Sequence, residues 1–190
     1  MVLYTDLESL QNRIMDELRL HYYYSVTAAN AALYDNEAPI GDTAFQAFPS
    51  ARADIRNAAR CAVLGQGTAA VFHAMRVMEV GLRILSRRLG INYAPSWESH
   101  LKQIQAKVAE KHGDKTVAWK KKEHLYLDIC GDLMAVKIAW RNTTMHIVRD
   151  YNDNEATAVL TAVANFMIRL ATSGFKEAGK PIAKLIASAA

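Results

Sequence analysis

The stretch from Val71 to Leu89 constrains the fold more than any other part of the chain. Apolar residues recur along it at a spacing of 4-3-4-3-4. This period puts them on one side of an α-helix, whereas a half-buried strand would alternate every second residue. Thr68 is predicted to cap the start of this helix and Gly90 to end it. The helix needs neighbours to cover its stripe, which consists of Val71, Met75, Met78, Leu82, Leu85 and Leu89.

Composition extends the helical prediction to the whole chain. The 190 residues include only four prolines and nine glycines, and 51% are hydrophobic, enough for a core of its own. We predict an all-α fold, a helical bundle with an additional N-terminal helix. Its expected parts are an N-terminal helix and loop packed on the bundle (1–48), the bundle itself (49–173), and a C-terminal tail or short helix (174–190).

The region before the bundle begins with a second apolar stripe. Leu3, Leu7, Leu10, Ile14 and Leu18 share one helix face, and we expect this helix to continue to about Tyr34. Its three consecutive tyrosines, residues 22–24, are interpreted as packing residues, although tyrosines also stack on bases. Phe45 and Phe48 are predicted to anchor the following loop in the core, and Ser50 to cap the next helix.

The second half of the chain contains further helix patterns. Leu101 and Ile104 belong to a helix that begins after Ser96, and Asn152 with Glu155 forms a capping box for the last long helix. The helix between them has an apolar stripe facing the core. It also has a stripe of small or polar residues, which forms a dimer contact, a cleft wall or a plain solvent face: Asp128, Asp132, Ala135, Ala139, Asn142 and His146.

Charge and cysteine content limit the function only loosely. A net charge of +4 is compatible with an RNA or phosphate partner but does not require one. Cys61 and Cys130 lie in apolar helical contexts and are expected to be buried thiols. No leader and no run of about 18 apolar residues is found, so a cytoplasmic protein without membrane contact is expected. His100 and His112 lack partners at ligand spacing, so no metal and no cofactor is predicted.

The segment from Trp140 to Tyr151 contains the strongest candidate for function. Histidine exchanges protons near neutral pH, and the planar guanidinium of arginine binds phosphate oxygens. His146 and Arg141 together could therefore cleave RNA without a metal, with the ribose 2′-hydroxyl as nucleophile. Arg141 and His146 lie about 140° apart on an ideal helix, whereas Asn142 shares the face of His146 and could orient its ring.

A simpler interpretation applies to the same residues. Cations are favoured at helix C-termini, so Arg141 and His146 could simply cap their helix. In that case the segment is structural, and a structural dimer fastened by this helix end is the corresponding function.

The Arg141-Asn142-x-x-x-His146 segment resembles the R-x4-6-H motif of the HEPN superfamily of small helical proteins. Residues 70–83 and the Trp97 segment ahead of the run from Trp119 to Lys122 are similar to uncharacterised bacterial HEPN-like proteins, so the similarity spans roughly Ala44 to Leu170. The resemblance implies a homodimer with both motifs facing one cleft. It also implies that a polar residue of the central helix, here Glu79, faces the motif.

Three functions follow as expectations. The first is a metal-independent ribonuclease acting on single-stranded RNA, with a candidate role as the toxin of a toxin–antitoxin or host-defence system and an antitoxin protein as partner. Its catalytic residues would be Arg141, His146, Asn142 and Glu79, and its substrate-binding residues Arg76, Arg83 and His73 on the basic side of the central helix. The second is a non-catalytic HEPN-like module that binds a nucleotide, RNA or protein, and the third is the structural dimer.

Overall fold

The central helix forms as predicted. The computed structural model describes residues 2–91, 97–136 and 150–177. The central helix is α5 (Gly67–Arg88). Four helices precede it in the chain: α1 (Val2–Arg19), α2 (Ala28–Asp35), α3 (Asp42–Ala47) and α4 (Arg52–Val63). All six apolar residues predicted to line the stripe are buried. The chain leaves α5 through Gly90, whose φ of 77° is a left-handed conformation that favours glycine.

The N-terminal region differs from the prediction of one continuous helix. α1 ends at Arg19, residues 22–27 are not helical, and α2 begins only at Ala28. Aromatic and β-branched residues, which disfavour helix, fill this break. Thr27 then starts α2, since its side chain accepts a hydrogen bond from the Asn30 amide.

The loop before α4 is anchored in the core, as predicted. Phe48 is fully buried and Phe45 nearly so. The predicted capping role of Ser50 is wrong, because Ser50 lies in a 3-10 turn (Pro49–Ala51) and both its amide and its hydroxyl donate to the Glu177 carboxylate. The start of α4 is thus tied to a residue 127 positions away, a contact that no local pattern indicates.

Three arginines at helical spacing on α4 hold the preceding segment in place. Arg52 donates through Nε to the Phe45 carbonyl at 2.9 Å, and its guanidinium lies over the Phe45 ring. Arg56 pairs with Glu37, and Arg60 lies over the ring of Tyr34. These three arginines therefore bind other groups of the protein itself. The face of α4 that carries them has a structural role.

The region before the motif contains α6 (Trp97–Ala109), a 3-10 turn (His112–Asp114), α7 (Val117–Lys120) and α8 (Glu123–Val136). Leu101 and Ile104 are buried as predicted. The connection between α6 and α8 is fixed by Lys115, whose side chain is only 4% exposed. Its ammonium donates to the Val108 carbonyl at 2.8 Å and to Glu123 at 2.7 Å, and lies 4.2 Å from the Trp119 ring centre.

The last described helix, α9 (Asp153–Thr172), begins with the predicted capping box. The Asn152 side chain accepts from the Glu155 amide, and the Glu155 carboxylate accepts from the Asn152 amide. The chain leaves α9 at Gly174, where φ is 81°. The apolar face of α9 is buried, and it consists of Ala156, Val159, Val163, Phe166, Met167 and Leu170.

These helices form one hydrophobic core, and the described ranges contain no β-strand. α5 packs against α4 and α9, and α6 packs against α5 and α8. Of the 1–48 region, Phe45 and Phe48 join this core, whereas the described side chains of α1 are exposed. Cys61 and Cys130 are free thiols; Cys130 is buried, as predicted, whereas Cys61 is half-buried, and burial raises the pKa of both. None of the described helices is long and apolar enough to cross a membrane.

Gly81 lets α5 and α9 approach closely. A Cβ at this position would lie 2.6 Å from Phe166 Cε1 and 2.9 Å from Met167 Sδ. We predict that Gly81→Ala lowers the free energy of unfolding by about 1–3 kcal/mol, because it overfills this contact. Gly131→Ala in α8 is the matched control, since a Cβ there meets nothing within 4 Å.

Urea denaturation of both variants checks this prediction. The control should be stabilised by up to about 1 kcal/mol through its better helix propensity. Equal stabilisation by the two substitutions would contradict the close approach of α5 and α9.

Candidate functional site

The predicted catalytic motif lies outside the described residues. Arg141, Asn142 and His146 belong to residues 137–149, between the end of α8 at Val136 and the point where the described chain resumes at Asp150. Glu79, Arg76, Arg83 and His73 all lie on α5. The site can therefore be analysed from its two flanks and from the α5 residues predicted to accompany it.

The flank that follows the motif is fixed to the beginning of α5. The Tyr151 amide donates to Thr68 Oγ1 at 3.1 Å, and that hydroxyl donates to Asp150 Oδ1 at 3.4 Å. Tyr151 is buried, and a Cβ on Gly67 would overlap its carbonyl oxygen. Thr68 is thus not the N-cap that its sequence position predicts. The N-cap of α5 is Gln66, and Thr68 uses its hydroxyl to bind the incoming chain.

His73 and Arg76 form a cluster with Asp54, a residue of α4 that the sequence did not identify. Asp54 Oδ1 lies 2.8 Å from His73 Nδ1 and 2.9 Å from Arg76 Nε. The Asp54 side chain is 15% exposed, that of His73 25% and that of Arg76 56%. The cluster therefore lies at the edge of the α4–α5 contact, with its guanidinium directed most toward solvent.

The carboxylate determines what this cluster can do. An ionised carboxylate only accepts hydrogen bonds, so Asp54 favours the tautomer in which His73 Nδ1 carries the proton. The lone pair of the other ring nitrogen, Nε2, can then accept a hydrogen bond. Arg76 is ion-paired, which reduces the charge that it offers to a phosphate. No sequence pattern joins Asp54 to His73, because they lie 19 residues apart on different helices.

Glu79 and Arg83 belong to a second group, on the side of α5 that faces α6. Both are exposed, and Arg83 Nε donates to the Glu79 carbonyl at 3.3 Å. Across from them His100 Nδ1 lies 3.0 Å from the hydroxyl of the buried Ser86. Burial lowers the pKa of His100, the positive charge of Arg83 lowers it further, and the Glu79 carboxylate raises it. This imidazole therefore favours its neutral form.

The α5 residues predicted for the site thus fall into two separate groups. His73 and Arg76 face α4, whereas Glu79 and Arg83 influence His100 on α6. Phe72, one turn before Arg76 on α5, is 45% exposed, which is unusual on a helix with so many buried residues. The exposed surface of α5 therefore combines an aromatic ring with guanidinium groups.

The polar stripe of α8 contacts α9 in its described part. Asp132 Oδ2 lies 3.3 Å from Arg169 Nε, and Asp128 Oδ2 lies 4.0 Å from Arg169 Nη1. All three side chains remain partly exposed, so the ion pairs contribute little to stability. The stripe residues Ala139, Asn142 and His146 belong to residues 137–149, outside the described part of the chain.

Comparisons of the chain with protein-family models, curated proteins and solved structures found no match. Within residues 2–91, 97–136 and 150–177, no three His, Cys, Asp or Glu side chains are grouped so that they could hold a metal ion.

The pKa of His100 tests the second group directly. Arg83→Gln should raise it, because a nearby positive charge disfavours protonation, and Glu79→Gln should lower it for the opposite reason. The pKa can be measured from the NMR shift of the His100 Cε1 proton across a pH titration. Arg87→Gln removes an exposed positive charge one turn further along α5 and should leave the pKa unchanged. Shifts of the same sign in the Arg83 and Glu79 variants would show that the group does not form.

Proposed function

We propose that this chain is a metal-independent ribonuclease of HEPN type that cleaves single-stranded RNA, with His146 in proton transfer and Arg141 on the phosphate. Asn142 orients the imidazole, and two copies of the chain form the cleft. The observation that supports the proposal is the attachment of Asp150 and Tyr151 to Thr68 at the start of α5. It ties the chain that leaves the motif to the helix that carries the predicted substrate-binding residues.

Chain length relates the motif to α5. Asp150 lies four positions after His146, at most about 14 Å of extended chain. His73 lies five residues after Thr68, about 7.5 Å along the helix axis. Both distances are comparable to the length of a few nucleotides. A single RNA strand could therefore reach the motif and the exposed α5 surface together.

The proposed chemistry uses only groups of the protein and the RNA. The 2′-oxygen attacks the adjacent phosphorus while His146 accepts the 2′-hydroxyl proton. The imidazolium so formed gives a proton to the 5′-oxygen as the bond from phosphorus to that oxygen breaks. Arg141 stabilises the charge on the phosphate oxygens during the attack. The product ends are a 2′,3′-cyclic phosphate and a 5′-hydroxyl.

The α5 surface is assigned to substrate binding. Arg83 is exposed, and Arg76 keeps a partly exposed guanidinium while paired with Asp54. These groups would contact the RNA backbone, and His73 would accept a hydrogen bond from a base or a ribose hydroxyl through Nε2. Single-stranded RNA suits such a surface, because splayed bases can stack on an aromatic ring or a guanidinium plane.

The second candidate function is RNA or nucleotide binding without cleavage. The exposed Phe72 ring, one turn before Arg76 on the same side of α5, favours it, because bases stack on such rings independently of any catalytic group. The engagement of His73 and Arg76 by Asp54 also favours it, since both side chains are already held in place. A toxin role with an antitoxin partner remains part of the first proposal.

We predict that the wild-type protein cleaves a mixed single-stranded RNA pool in EDTA and leaves 2′,3′-cyclic phosphate ends. Arg141→Ala and His146→Ala should each reduce the rate about 100-fold or more, as expected for the loss of a group that acts in the transition state. Arg19→Ala and His124→Ala are matched controls, because they remove the same side chains from exposed positions on α1 and α8.

Circular dichroism and light scattering of every variant separate catalysis from folding and association. Cleavage that persists in both folded motif variants would contradict the proposal. An inert wild type that still binds RNA would instead support the second candidate function.

The attachment of the motif flank predicts a positioning role for Thr68. Thr68→Val keeps the shape of the side chain but removes the hydroxyl that binds Tyr151 and Asp150, so stability should fall by about 1–2 kcal/mol. Cleavage should fall by about tenfold or more, because small displacements of catalytic groups are costly. Thr68→Ser retains the hydroxyl and should restore most of the activity. Equal rates for the valine and serine variants would rule out this role.

A further inference from the structure

α1 presents an apolar face that nothing in the described structure covers. Its stripe residues are between 41% and 76% exposed, although all are large aliphatic side chains: Leu3, Leu7, Leu10, Ile14 and Leu18. A monomeric protein seldom exposes so continuous a row. Farther along the chain, the Tyr24 hydroxyl donates to the Leu64 carbonyl at 2.8 Å and so connects the N-terminal region to the end of α4. The stripe is therefore available to a binding partner.

The charge of α1 restricts the chemistry of that partner. The helix contains four carboxylates and two guanidinium groups, so its polar side is acidic: Asp6, Glu8, Arg13, Asp16, Glu17 and Arg19. Amphipathic helices that bind anionic lipid are rich in Lys and Arg, and RNA binding likewise requires positive charge. An acidic helix with a leucine stripe is suited instead to another protein helix.

The apolar faces of two α1 helices match each other when the helices run antiparallel. If two α1 helices run antiparallel, the spacing of the stripe pairs Leu3 with Ile14 of the second copy and Leu7 with Leu10 of the second copy. The two-fold axis repeats both pairs, which makes four apolar layers. In a parallel pair the same spacing continues to Glu17, and the two Glu17 carboxylates would face each other in the seam. The antiparallel arrangement leaves Glu17 beyond the end of the contact.

The charges beside the stripe favour the same direction. Asp6 and Arg13 are two heptad-related positions on one flank of the stripe, about 10.5 Å apart along the helix axis. They are therefore too far apart to pair within one α1. In the antiparallel arrangement, Asp6 lies beside Arg13 of the second copy, and the symmetry forms this ion pair twice. In a parallel pair, Asp6 would instead face Gln11.

We propose that α1 is a self-association element, which pairs antiparallel with α1 of a second copy. The seam extends from Leu3 to Ile14 on each helix, so its area lies at the low end of specific interfaces, below about 1,200 Å². A reversible dimer is the expected result. This inference is independent of the proposed ribonuclease function, since it uses neither the motif nor the α5 surface.

Sedimentation equilibrium of the full chain over a concentration series tests the pairing. Asp6→Arg should raise the dissociation constant of the dimer about tenfold or more, because it creates two repulsive contacts. Arg13→Asp should act in the same direction, and the double variant Asp6→Arg/Arg13→Asp should restore association. Leu7→Glu/Leu10→Glu should weaken it more strongly. Glu8→Arg is the matched control, since it makes the same charge change at an exposed position on the other flank of α1, away from Arg13.

Each result separates the possible arrangements. Circular dichroism must first show that the variants keep their helix content, which the exposure of α1 leads us to expect. A wild type that stays monomeric, a dimer insensitive to the leucine substitutions, or a double variant no better than its parents would overturn the proposal. If Glu17→Leu lowered the dissociation constant of the dimer and Asp6→Arg left it unchanged, the two α1 helices would be parallel. That result would also overturn the proposal.

Discussion

The close packing of α5 against α9 is the contact on which the rest of the structure depends. It requires glycine at position 81, because any side chain there would meet Phe166 and Met167. A second glycine, at position 67, leaves room for the backbone of Tyr151, which lies against the start of α5. α4 and α6 pack on other sides of α5. These contacts leave one side of α5 exposed, and its polar residues are the ones available for binding. The exposure of the α5 residues predicted for the site thus follows from the packing of the core.

The sequence predicted the parts of the fold that depend on local pattern. The α5 stripe, the burial of Phe45 and Phe48 and the capping box of α9 were all predicted, because each depends on residues that are close in the chain. The roles of Ser50 and Thr68 were predicted wrongly for the opposite reason. Both hydroxyls lie where a cap would be favourable, but each binds a group distant in sequence, and tertiary contacts outweigh a cap worth about 1 kcal/mol.

The residues of the candidate site likewise include some that local pattern indicates and others that only tertiary contacts bring in. His73, Arg76, Glu79 and Arg83 were found from their places on α5, whereas Asp54 and His100 enter only through contacts between helices. Periodicity identifies which face a residue occupies but not which helix covers that face. Arg141, Asn142 and His146 fall among residues 137–149, so their arrangement remains a prediction. Their proposed role gains physical support from the attachment of the following residues to α5.

That attachment is the central claim, and amide hydrogen exchange tests it most directly. The Tyr151 amide precedes α9 and belongs to no helix, yet it donates to Thr68 Oγ1 beside a buried side chain. Its exchange should therefore be slow, on the timescale of the hydrogen-bonded amides in the second turns of α5 and α9, while the exposed amides of residues 22–27 exchange rapidly. If Tyr151 exchanged as fast as residues 22–27, the chain leaving the motif would not be fixed to α5, and the proposed site would lose its structural basis.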